Sequence, residues 1–456
     1  MTKKLFVITL FFLLSITSYS QNLVGPWTGT LTVQTGKIDI IFHITHNGQI
    51  FQGKMDVPVQ NLKGIPIHEV KYQEPFITIN LPNLGIKYTG HVLDDEHIEG
   101  KFEQGGFSFP MTLYKDLEIE TPLKKPQEPL PPFPYVSKNI KFKNEKANIL
   151  LAGTFTRPID VKKYPAVILI SGSGPQDRNQ EILGHKSFLL LADELTKKGV
   201  AVLRFDDRGT GESSGNFNSA STLDFSTDVE AAYEYLLSRK DVDPTKIGLL
   251  GHSEGGTIAG IVASENKAID FVVLMASPGL RGKELMLHQK ALIEKKGGVP
   301  DNIIERNQKI FSEAYSIVIN NEQPLFDKLA DYLQHQFDHQ LNDQQINNLA
   351  KTFSSNWMKE FIKLDPATYF SKVTCPVLAL NGTKDVQVIA KENLDAIYNA
   401  LTEAGNTAID IEEIEGINHL FQECETGLPN EYGEIEQTLS PVLLEKVTTW
   451  ITSKTK

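Results

Sequence analysis

The chain has 456 residues, 40% of them hydrophobic and 22% charged, with a net charge of -12 and a pI near 5.5. A chain this long buries at least one large core and room remains for two or three folded units, and the composition excludes a disordered or fibrous protein. The acidic balance excludes the electrostatic footprint of a nucleic-acid binder and a general attraction to anionic membranes.

Residues 1–20 read as a signal peptide. Lys3 and Lys4 precede an apolar run from Leu5 to Ile16, and Ser18-Tyr19-Ser20 supplies small residues at the cleavage positions. The run is shorter than the ~20 residues a membrane span needs, so the expectation is export to the periplasm or the extracellular space without stable membrane insertion. Residues 21–117 follow a period of two. Ile38, Ile40, Phe42 and Ile44 alternate with Asp39 and His43, and similar runs with Gly and Asn-Gly turns follow. This predicts a small all-β domain, a barrel or a sandwich. Trp27, Phe102, Phe107 and Phe109 are expected in its core, and His43 and His46, three apart on a strand, point to opposite faces and make no metal pair. Residues 118–137 form a Pro-rich linker, with Pro122, Pro126, Pro129, Pro131, Pro132 and Pro134 favouring an extended spacer.

From 138 to 456 strands and helices alternate, which predicts a mainly parallel sheet covered on both faces. Ile149–Thr156, Ala166–Ile170, Val200–Phe205, Ile247–Leu250, Phe271–Ala276, Pro376–Leu380 and Ile409–Ile414 read as strands. Phe188–Lys198, Asp224–Arg239 and Leu443–Ile451 read as helices. Across about 280–365 helical spacing takes over, with Leu325, Leu329, Leu333 and Phe337 every four residues and Ile303, Ile310 and Ile317 every seven. Three or four helices inserted there would form a cap over the C-terminal edge of the sheet. The two cysteines, Cys375 and Cys424, fall at opposite ends of the sheet, ~17 to 20 Å apart for a strand of ordinary length. That is beyond disulfide reach, so two free thiols are expected.

The chemistry centres on Lys246–Gly260, KIGLLGHSEGGTIAG. An apolar strand stops at Gly251-His252-Ser253-Glu254-Gly255 and a helix-forming stretch follows at once, the arrangement of a nucleophile elbow. Ser253 is the candidate nucleophile. A serine hydroxyl needs a histidine to take its proton and an acid to orient that histidine, supplied by loops after later strands in the order serine, acid, histidine. Asp385 follows the Pro376–Leu380 strand, and His419 is the only one of the eleven histidines that follows the last strand. An oxyanion needs two further donors. The amide of Glu254 is one candidate, and the amide of Ser173, in the Gly-rich loop Ser171–Asn179, is the other. Arg208 is read as tied to neighbouring carboxylates or carbonyls.

The segments SGSGPQDRN, DDRGTGES, GHSEGG, NGTKDVQV and GINHLF together resemble the α/β-hydrolase superfamily, over about Lys138 to Lys456. They look like exported bacterial hydrolases related to serine aminopeptidases and carboxylesterases, some of which carry an N-terminal β domain. The resemblance implies an eight-stranded sheet, a triad on Ser253, Asp385 and His419, and an oxyanion hole at Ser173 and Glu254. Such relatives often carry His where Ser171 stands here, which bears on how the loop is anchored. The resulting expectation is an exported serine hydrolase cleaving carboxylic esters, with a small-molecule ester or a short peptide as substrate and no metal or organic cofactor. The alternatives are an aminopeptidase with the same triad and, from another class, a non-catalytic binding protein.

Overall fold

The structure, a computed structural model, describes residues 23–33, 36–58, 62–117, 125–160, 162–320, 324–337, 340–403 and 405–455. The predicted signal peptide and the first part of the predicted linker, 118–124, lie outside them.

Nine antiparallel strands form the N-terminal sheet: β1 (Gly25–Val33), β2 (Gly36–His46), β3 (Phe51–Val57), β4 (Leu62–Pro66), β5 (Glu69–Gln73), β6 (Phe76–Leu81), β7 (Ile86–Val92), β8 (His97–Gln104) and β9 (Phe107–Lys115). Their order is β4-β3-β2-β1-β9-β8-β7-β6-β5, and the sheet curls until β3 lies beside β5. The period-two residues face inward: Trp27, Phe42, Tyr88 and Phe102 are all but fully buried. Trp27 satisfies its indole N–H on the Leu23 carbonyl at 2.8 Å, as a buried indole must. Phe107, expected in this core, is instead 52% exposed. It stands at the β8–β9 turn, where the alternation ends, and lines a ≈ 470 Å³ cavity shared with the helical insertion.

The second sheet has eight strands: β10 (Val136–Asn144), β11 (Ile149–Arg157), β12 (Tyr164–Ile170), β15 (Ala201–Phe205), β16 (Val242–His252), β17 (Val272–Met275), β18 (Val377–Gly382) and β19 (Ile409–Ile414). A two-residue ladder, β13 (Glu181–Ile182) with β14 (His185–Lys186), lies between β12 and β15 in the chain. The sheet order is β10-β11-β15-β12-β16-β17-β18-β19, with β10 and β11 antiparallel to their neighbours and the others parallel. Sequence periodicity missed β10. It is an edge strand whose lysines and Asn139 face solvent, and only Ile140, Phe142 and the buried Asn144 turn inward.

Helices cover both faces. Helix α1 (Ser187–Lys197) and the closing α11 (Pro441–Lys454) bury Leu191, Leu195, Leu443 and Val447 on one side. On the other lie α2 (Thr222–Leu237), α3 (Glu254–Glu265), the short α9 (Ala367–Phe370) and α10 (Ala390–Glu403). Because β15 and β16 flank β12 on opposite sides, the chain reverses direction at β12, and ligand crevices in such sheets open at this switch point.

Among the described residues, the insertion between β17 and β18 holds five helices rather than three or four: α4 (Gly282–Lys296), α5 (Asp301–Asn320), α6 (Leu325–Phe337), α7 (Asp343–Phe353) and α8 (Asn356–Lys363). The extra helix is α8, which the Ser355 side chain starts by capping the Met358 amide only two residues after α7 ends. On α6 the four-residue spacing of Leu325, Leu329 and Leu333 is the buried stripe. On α5 the seven-residue reading is off by one at its start, since Ile304 is buried and Ile303 exposed.

Candidate active site

Ser253 stands between the end of β16 and the start of α3 with φ 55 and ψ -126, a conformation that costs a non-glycine residue ~1 to 3 kcal/mol. The turn is held on both sides: the Ser253 amide donates to the Met275 carbonyl at 2.8 Å, and its carbonyl accepts from the Gly256 amide at 2.9 Å. Crowding dictates the flanking glycines. A Cβ at Gly251 would stand 2.0 Å from the Gly255 carbonyl oxygen, and one at Gly255 would stand 2.2 Å from that of Ile170. The loop after β12 then lies against the serine itself, for a Cβ on Gly172 would come within 3.0 Å of Ser253 Cβ.

Asp385 follows β18 and is fixed by the chain it starts. Its Oδ1 accepts from the amides of Gln387 and Val388 at 2.7 and 2.9 Å, and its Oδ2 lies 2.7 Å from His419 Nδ1. Both side chains are buried. With Nδ1–H turned to the carboxylate, the ring of His419 leaves Nε2 free to act as an acceptor. Ser253 and His419 line one cavity without a hydrogen bond between them, and catalytic contacts of this kind commonly tighten only with substrate bound.

His252 was not singled out from the sequence, yet it braces this arrangement. Its Nδ1 accepts from Gln180 Nε2 at 2.8 Å, and its Nε2–H donates to the His419 carbonyl oxygen at 2.9 Å. Burial, with the neighbouring His419 adding to it, pushes its pKa down to about 3, so the ring stays neutral and keeps one tautomer.

The Gly-rich loop carrying Ser173 is anchored through Asp207, which receives the Ser171 hydroxyl at 2.6 Å and the Gln176 amide at 2.9 Å. This is how the loop is held with serine at its first position. Further along, Arg178 clamps Asp206 through Nε and Nη2 at 2.9 and 2.6 Å. Arg208 turns to Asp228, at 2.7 and 3.0 Å, and away from the cavity. Ser173 and Glu254, the predicted oxyanion donors, line the same cavity as Ser253, and among the described residues neither amide has a backbone acceptor.

That cavity measures ≈ 280 Å³. Its base is the sheet edge with Gly172, Ser173, Ser253 and His419, and its roof comes from the cap, with Leu285, Met286 and Gln289 of α4 and Trp357 and Phe361 of α8. Gln387 reaches the Tyr432 hydroxyl at 3.0 Å along one wall. Among the described residues no lysine or arginine lines it, and Glu254 is the one acidic residue. Sequence reasoning missed Trp357 and Tyr432, because each reaches the site only through tertiary packing and neither carries a local motif, and it gave no role to Gln387 although the segment NGTKDVQV contains it. Cys375 and Cys424 are free, and burial pushes the Cys375 thiol up to about 11.

Comparison with known proteins gives the arrangement a family. Esterase EstD of Thermotoga maritima is 26% identical over 271 residues, 59% of this chain and 58% of that protein's own length. Among solved structures, the Pyrococcus furiosus esterase Pf2001 is 16% identical with a TM-score of 0.42, covering 71% of this chain and 94% of that one. A hypothetical protein of Pseudomonas aeruginosa is 15% identical with a TM-score of 0.45, covering 74% and 100%. A family model described as serine aminopeptidase, S33, matches residues 185–423, from the β14 ladder to just beyond His419. That match takes in just over half of the residues, and the chain belongs to the serine aminopeptidase, S33, family of α/β hydrolases.

Proposed function

We propose that the protein is an exported serine esterase that cleaves carboxylic esters through an acyl-enzyme. The observation that carries the reading is the buried 2.7 Å His419–Asp385 pair opening on the same cavity as the strained Ser253. Ser253 Oγ attacks the acyl carbon while His419 Nε2 takes its proton, and Asp385 stabilises the imidazolium. The amides of Ser173 and Glu254 receive the oxyanion. The bond to the leaving alcohol breaks as His419 returns the proton to it. Water then attacks the acyl-enzyme by the same route, freeing the acid and restoring Ser253.

The family's name brings aminopeptidase activity into view, and the cavity speaks against it. Selecting a free N-terminus needs a carboxylate available to an ammonium, but Glu254, the one acidic residue of the lining, already has both oxygens occupied by three protein donors. The largely apolar roof and, among the described residues, the lack of a cation in the lining support a neutral substrate, and the volume, near the small end of ligand sites, supports a short acyl chain. The test compares p-nitrophenyl esters from acetate to palmitate with aminoacyl p-nitroanilides, using Ser253→Ala as blank. Butyrate turned over faster than palmitate or any anilide, with loss of turnover in the variant, is expected. Faster anilide cleavage would move the assignment to a peptidase, and absence of both turnover and fluorophosphonate labelling of Ser253 would favour a non-catalytic binding protein. Export rests on residues 1–20 and is checked by fractionation: full-length protein should reach the periplasm or medium, and protein lacking 1–20 should stay inside the cell.

A further inference from the structure

Glu254 does more in this fold than supply an amide. Its side chain is 1% exposed and lies at the meeting point of four elements. One oxygen accepts the Ser173 hydroxyl at 2.6 Å, from the loop after β12. The other accepts the Thr222 hydroxyl at 2.6 Å, from the first residue of α2. The indole N–H of Trp357, on cap helix α8, bridges both oxygens at 2.9 and 3.1 Å. Trp357 is oriented for this by stacking on Phe361, ring centroids 4.8 Å apart and planes 20° from parallel.

Among the described residues no cation pairs with this group; burial raises its pKa from the ordinary value, and the three neutral donors act against that rise. A carboxylate out of water depends on each donor it has, and removing one changes the demand it makes on the others. Two of the donors matter for catalysis: Ser173 carries a predicted oxyanion amide, and Trp357 belongs to the cap that roofs the cavity.

We propose that the Glu254 carboxylate is a positioning group that clasps the cap to the oxyanion loop, so that the Ser173 amide is aligned only while Trp357 sits on the carboxylate. The inference rests on the esterase reading and adds to it a link from cap closure to transition-state stabilisation. A substrate that leaves α8 seated is then turned over, and one that props the cap away from Glu254 binds without efficient reaction.

The experiment uses two mild changes, each removing one donor. Trp357→Phe keeps an aromatic ring to stack on Phe361 and loses the N–H together with the five-membered ring that bears it, and Ser173→Ala keeps the backbone amide and loses only the hydroxyl. On p-nitrophenyl butyrate each should lower kcat about tenfold, the worth of one hydrogen bond to a charged group, with KM within twofold. Each should weaken an aryl trifluoromethyl ketone, which presents a tetrahedral oxyanion, by the same factor. The double variant should lose little more than either single one, because both act through one carboxylate. Multiplied losses in the double variant, or a change in KM alone, would overturn the clasp, as would full activity in Trp357→Phe. Wild-type protein with no Ser253-dependent turnover would instead remove the reaction itself, and this role with it.

Discussion

Ser253 is held in a left-handed conformation between two backbone hydrogen bonds, and the residues beside it are constrained as tightly as it is. The same economy holds for the Asp385–His419 pair. Asp385 spends one oxygen on two backbone amides, which leaves the other to fix the imidazole. Asp385→Asn keeps the shape but can present an N–H to His419 Nδ1, favouring the wrong tautomer. We expect kcat to fall by about 10³ to 10⁴ with KM nearly unchanged, read by steady-state kinetics on a short ester.

At the scale of elements, the loop beyond His419 is fastened to the start of α1 by a buried histidine. His185 places Nε2 2.8 Å from the Tyr432 carbonyl and Nδ1 3.1 Å from the Thr438 hydroxyl. Burial, helped by the charge of Lys125, lowers its pKa from the ordinary 6.5 to about 4. Between those values the unfolded chain takes up a proton that the fold refuses, so stability falls as pH drops from about 6.5 to about 4, by about 1.4 kcal/mol per pH unit, and is unaffected above that window. Asp207 acts in the opposite sense. Desolvation raises its carboxyl to about 7, so the fold keeps a proton the unfolded chain releases, and stability falls as pH rises from 3.8 toward 7. The two effects are separated by substitution: His185→Gln should make the slope of urea-unfolding stability against pH, between pH 4.5 and 6.5, more negative by about 1.4 kcal/mol per unit relative to wild type.

In the whole molecule the β domain is not simply tethered. The described part of the linker lies along the hydrolase unit: Lys125 donates to the carbonyls of Gly433 and Ile435, and Gln127 caps the backbone of Thr438 and Leu439 with three hydrogen bonds of 2.6 to 3.1 Å. Glu128 pairs with Lys186 at 2.6 Å. At the other end of the domain, the β8–β9 turn docks on cap helix α7 through Asn348 and Gly105 at 2.7 Å. The strap thus lies against the segment bearing Tyr432 and the turn against the cap, both of which wall the cavity. Gln127→Ala should lower stability by about 2 kcal/mol, a modest net value for three lost hydrogen bonds, measured by urea unfolding.

The sequence by itself determined the α/β sheet, the small β domain before it and the order Ser253, Asp385, His419. Each follows from local pattern: period-two runs make strands, the glycine-flanked serine makes a sharp turn, and parallel strands deliver successive loops to one edge. The tertiary structure alone decided what those loops meet. The edge strand β10 is specified by its neighbour more than by its own residues, and the number of cap helices turned on a capping serine two residues beyond α7. The His252 brace, the linker strap and Trp357 on Glu254 join residues far apart in the chain. Such contacts leave no periodicity to read, because they are set by the packing of whole elements and not by the spacing of residues within one.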